Sequence, residues 1–114
     1  MPAIPSFAES LLQEEYTLTK DQIRFYQQNR FIKLKQVFSP DVLTWLNQVI
    51  TERVNIMNKE TRSLEERNTY GKAFLQLFNL WLEDEQVRSL VLSRRLGKIA
   101  TELMQCEGVR LYHD

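Results

Sequence analysis

Most apolar positions along this chain recur at helical spacing, and only a few short stretches alternate or run together. Phe7, Leu11, Leu12 and Tyr16 follow Pro2 and Pro5 at loosely helical intervals, which predicts a flexible start with one short helix. A second helix opens at Thr19. Thr19 and Gln22 form a capping box, and Leu18 and Ile23 flank it as a hydrophobic staple. Its end is placed at Asn29-Arg30. Ser39-Pro40-Asp41 opens the longest helix, with serine as cap, proline in the first turn and aspartate facing the helix dipole. Leu43, Leu46, Ile50 and Met57 mark its apolar stripe, and Trp45, Val49 and Val54 widen it. Asp84 caps a short helix carrying Val87, Leu90 and Val91. Ser93 opens another, with Leu96, Ile99, Ala100, Leu103 and Met104 broadly on one face, and Gly108 is expected to end it in the left-handed conformation.

Three stretches read as strands. In 31–37, Ile32 and Leu34 point one way and Lys33 and Lys35 the other, as on a sheet edge. The run 72–81 fits a helical face by count, but it has no capping residue, follows Gly71 and is dense in aromatics, so 72–79 is read as a buried strand. The segment 109–114 follows Gly108 and reads as the beginning of a third strand. Between residues 59 and 71 the chain is charged and turn-rich, which predicts a surface loop. Helices and strands in this order predict an α+β fold, mainly helical. The glycine-rich turn of a dinucleotide-binding fold is missing, since the chain holds three glycines in all. Three strands are too few for a full sheet, so the chain is expected to be the front of a larger domain.

Composition adds exclusions. Fifteen basic and fifteen acidic residues balance, so no net charge draws the chain to nucleic acid or anionic lipid. The apolar runs fall short of the roughly 20 residues of a membrane helix. One cysteine, Cys106, rules out an internal disulfide and points to a reducing, cytoplasmic setting.

Several short motifs then come in a familiar order. Leu18-Thr19-Lys20-Asp21-Gln22-Ile23-Arg24-Phe25-Tyr26, Asn29-Arg30-Phe31-Ile32 and Phe38-Ser39-Pro40-Asp41-Val42 resemble the opening of the phytanoyl-CoA dioxygenase family. The stretch from Phe78-Asn79-Leu80-Trp81 to Val109-Arg110-Leu111-Tyr112-His113-Asp114 resembles that family as well. One departure is Arg30, which stands where the family commonly has glycine. The resemblance implies a double-stranded β-helix (jelly-roll) oxygenase that uses iron(II) and 2-oxoglutarate to hydroxylate an unactivated carbon of a small molecule. It divides the chain into a flexible segment 1–17 and an N-terminal helical and strand part 18–114, with the catalytic core missing. Two histidines and a carboxylate would hold the iron. This sequence has one histidine and no H-x-D pair, so no metal ligand or catalytic residue is assigned within it.

Two residues are candidates for cosubstrate contact. Lys72 falls where the resemblance implies a basic residue that pairs with a 2-oxoglutarate carboxylate, against the plain reading of a solvated lysine. His113 is weighed as a pocket-lining or cosubstrate-contacting residue, against a structural one. His113 and Asp114 cannot easily share an ion, because neighbours on a strand face opposite ways. Cys106 reads as a buried inert thiol, and Arg94, Arg95 and Lys98 as a solvated basic face. The rival readings are a non-catalytic helical module that binds a protein partner, and a truncated remnant. Self-association is expected where apolar surface lacks its sheet.

Overall fold

The computed structural model describes residues 3–114; Pro2, part of the expected flexible start, lies outside them. Among the described residues seven α-helices and one 3-10 turn follow in order. They are α1 (Ser6–Gln13), α2 (Lys20–Asn29), α3 (Pro40–Met57), the turn Leu64–Glu66, α4 (Thr69–Ala73), α5 (Leu80–Glu83), α6 (Glu85–Val91) and α7 (Arg94–Met104). Helix α1 packs against α3, α6 and α7, α3 also against α6, and α2 against α7.

The core forms where these faces meet. Ala8 and Leu12 of α1, Val42, Trp45, Leu46 and Val49 of α3, Leu80 of α5 and Val87 of α6 make one buried cluster. Ile99 and Leu103 of α7 are buried as well. The α3 stripe is rotated slightly from the expected one. Val42 is in the core and Leu43 is 46% exposed, because α3 presents 42, 45, 46 and 49 to α1.

The Thr19 capping box forms as expected, with Gln22 N–H donating to Thr19 Oγ1 at 3.1 Å and Thr19 N–H to Gln22 Oε1 at 2.8 Å. Arg30 then takes the left-handed conformation, φ 64°, and its N–H donates to the Tyr26 carbonyl. At α3, Ser39 gives no side-chain cap. Its hydroxyl donates to Asp41 Oδ1 instead, and this bond holds the Asp41 carboxyl below the usual carboxylate range.

The α+β expectation is overturned, and with it the double-stranded β-helix. No strand occurs among the described residues. Each expected strand fails for a local reason. In 31–37, Gln36 has φ 57°, which breaks an extended run, and the Lys35 and Val37 carbonyls accept from side chains, Tyr16 Oη and Arg95 Nε, rather than from a neighbouring strand. In 72–79, Asn68 caps α4 through its side chain, and the helix runs on through Gly71 and Lys72 to Ala73. Asn79 closes that segment with φ 60°. In the segment 109–114, His113 meets Phe78 and Asp114 meets Leu80 and Trp81 through side chains, but no backbone ladder forms there. An extended segment without such a ladder is not a strand.

Helix α7 also ends differently. Gln105, not Gly108, adopts the left-handed cap, φ 54°. The whole molecule is spread out. Its radius of gyration is 16.9 Å, against about 13 Å for a compact domain of this length. No helix of the described residues is long and apolar enough to cross a membrane.

Candidate functional site

The two residues the sequence offered for cosubstrate contact, Lys72 and His113, lie in α4 and in the segment after α7. The segment after α4 and the segment after α7 come down on α3, α5 and α6. Between them lies an apolar cavity of about 360 Å³, lined by Ile50, Val54, Leu75, Leu77, Val87 and Leu90 among others. Its polar wall is Asp114. The Asp114 carboxylate accepts from Leu80 N–H through Oδ1 and from Trp81 N–H through Oδ2, both at 3.0 Å.

These two bonds cap α5, whose own N-cap residue Asn79 makes no side-chain hydrogen bond to it. Asp114 supplies the cap from more than thirty residues away. Each Asp114 oxygen accepts one amide hydrogen, which fixes residue 114 against the start of α5.

His113 sits at the rim, exposed. Its ring meets Phe78 edge-on at 5.5 Å and lies 4.8 Å from the Tyr112 ring. The imidazole and the Asp114 carboxylate do not converge, since one faces Phe78 and the other the start of α5. Lys72 lies in the last turn of α4 and is exposed. Its ammonium makes no hydrogen bond or ion pair among the described residues, and no contact joins it to His113. Among the described residues no three of His, Cys, Asp and Glu come together to hold a metal ion. One imidazole does not fit an iron site of two histidines and a carboxylate.

The basic cluster on α7 divides. Arg94 pairs with Glu15 at 2.9 Å and holds that carboxyl below its ordinary range; Lys98 lies 3.6 Å from Glu102. Arg95 is not solvated. It is 8% exposed, donates to the Val37 carbonyl and, at 3.2 Å, to the Glu14 carbonyl, and lies over the Tyr16 ring at 5.4 Å. It ties two loops to α7 through their carbonyl oxygens, with no carboxylate partner among the described residues. A second polar link joins α3 to α6. Asp84 caps α6 through Gln86 N–H (2.8 Å) and Val87 N–H (3.1 Å), and its other oxygen accepts from Arg53 at 3.2 Å.

The sequence read Asp84 as a cap but missed Arg53, because a pairing 31 residues apart leaves no local mark. Cys106 is exposed rather than buried. Comparison with protein-family models, characterised proteins and solved structures finds no match to this chain.

Proposed function

We propose that this chain is the N-terminal helical portion of an iron(II)/2-oxoglutarate-dependent dioxygenase similar to phytanoyl-CoA dioxygenase, acting on a small molecule in the cytoplasm. The ordered motifs between Leu18 and Val42 carry the reading. Arg30 supports it. The resemblance expects glycine at this position, and here the backbone is left-handed, φ 64°, the conformation that favours glycine. The open shape supports it too: a radius of gyration of 16.9 Å suits a piece that completes its packing against further chain.

On this reading the iron ligands lie outside these residues, and no catalytic step belongs to them. Their part is to buttress, with the exposed Lys72 and His113 offered to the cosubstrate. The test is succinate release from 2-oxoglutarate by the protein translated from the whole reading frame, with iron(II) and oxygen. The reading expects turnover, and a higher 2-oxoglutarate requirement in Lys72→Ala, by roughly 10-fold or more from one lost charge-assisted contact. A frame without a second histidine, or a protein inert towards 2-oxoglutarate with every substrate class tried, overturns it.

One observation favours a second reading, a non-catalytic helical module that binds protein. Tyr70, Phe74, Leu75, Phe78 and Leu82 are each more than half exposed within one short run. Isolated exposed apolar residues are ordinary, but five within the stretch 70–82 favour an interaction surface.

A further inference from the structure

The run Phe74-Leu75-Gln76-Leu77-Phe78 reads the same in both directions. We propose that two copies of this chain associate by antiparallel pairing of residues 74–78 about a two-fold axis at Gln76. The inference names an occupant for the exposed apolar run and stands whether or not the oxygenase reading holds.

Three observations meet at this segment. The first is symmetry. In an antiparallel pair centred on residue 76, Phe74 stands opposite the partner's Phe78 and Leu75 opposite the partner's Leu77, while Gln76 faces its own copy. Every position meets a matching side chain, as a closed two-fold interface requires. Cross-strand aromatic and apolar pairs of this kind stabilise by roughly 0.2–1 kcal/mol each.

The second is the backbone. Phe74 leaves α4 extended, φ −136° and ψ 135°. From residue 75 to 78 no N–H or C=O takes part in a hydrogen bond among the described residues. These groups are free to pair with an extended segment of a second chain.

The third is the surface. Phe74, Leu75 and Phe78 are 56%, 54% and 54% exposed, and no charged residue lies between Lys72 and Glu83 to block edge pairing. The chain's net charge of zero removes long-range repulsion between copies. Two strands alone are marginal in water; the flanking exposed Tyr70 and Leu82 supply further apolar area for the contact.

The register makes the proposal sharp. Gln76 is exposed, so Gln76→Cys in a Cys106→Ser background leaves the core untouched. Facing residues on the axis lie about 4.5–5.5 Å apart between Cα atoms, within reach of a disulfide. A cysteine at 74 would lie roughly 13 Å from its own copy, beyond that reach. On mild oxidation, Gln76→Cys should therefore form a covalent dimer and Phe74→Cys alone should not. A mixture of Phe74→Cys and Phe78→Cys chains should cross-link to each other.

Sedimentation equilibrium supplies the second arm. The unmodified chain should show a concentration-dependent dimer. Phe74→Lys/Phe78→Lys puts like charges opposite and should weaken it at least about ten-fold, whereas Phe74→Glu/Phe78→Lys puts opposite charges in register and should keep it. Far-UV circular dichroism checks that each variant stays helical. A strictly monomeric chain at high micromolar concentration overturns the proposal. So does cross-linking that is equal at 74 and 76, or a dimer indifferent to both double variants. None of these readouts involves 2-oxoglutarate, so failure here is separate from failure of the oxygenase reading.

Discussion

Replacing Asp84 by alanine tests whether the α3–α6 link holds this helical assembly together. One carboxylate does two tasks. Through Oδ1 it caps α6 on Gln86 and Val87, and through Oδ2 it accepts from Arg53 Nε and Nη2, both at 3.2 Å. Losing an N-cap costs about 0.5–2 kcal/mol. Stripping the partner from a guanidinium that keeps only 19% side-chain exposure costs about 1.5–3 kcal/mol, less what water recovers. Together the expected loss is about 2–4 kcal/mol. Urea unfolding followed at 222 nm should show it as a midpoint lowered by about 1–2 M, taking a slope of ~1–3 kcal/mol/M. Asp84→Asn separates the tasks. It keeps an acceptor for the two amides but removes the charge, so it should lose about half as much. In an Arg53→Met background the further effect of Asp84→Asn should nearly vanish, since the paired charge is already gone. A loss below roughly 0.5 kcal/mol for Asp84→Ala, or full additivity with Arg53→Met, would refute the reasoning, because neither is compatible with a shared buried pair.

Further outcomes follow from other contacts. Arg62 donates to both oxygens of Glu60 and depresses its pKa to about 2. Because the folded value lies below the ordinary 4.5, the pair stabilises fully above that value, and the contribution is lost as pH falls from there through about 2. Carbon-detected NMR titration should find that low midpoint and see it return towards the ordinary range in Arg62→Gln; an ordinary midpoint in the unmodified chain would dismiss the pairing. Arg95→Ala should destabilise by about 2–4 kcal/mol through lost carbonyl bonds and packing on Tyr16, and Arg95→Lys should rescue little, since an ammonium lacks the planar fork. Thermal unfolding within a degree or so of the unmodified chain would rule out the clamp. Anaerobic calorimetry of this chain with iron(II) should give no stoichiometric micromolar site, because one imidazole cannot make the required ligand set; a tight site would show that the ligand arithmetic is wrong.

Helices were legible in this sequence because their signals are local. The Thr19–Gln22 box, Pro40 at the start of α3, and the Asp84 and Ser93 caps each act within one turn. That the chain holds a single histidine is likewise counted without any fold. Strands were misread because alternation states only which face is apolar, and a strand exists only when another segment supplies its hydrogen bonds. In 31–37 and 72–79, positive φ at Gln36 and Asn79 and the Asn68 cap decided otherwise. Tertiary structure alone decided the long-range polar links: Asp114 capping α5, Arg53 meeting Asp84, and Arg95 buried under two loops. Each joins residues at least 31 apart, and such partners are chosen by how the helices pack, which no spacing along the chain records.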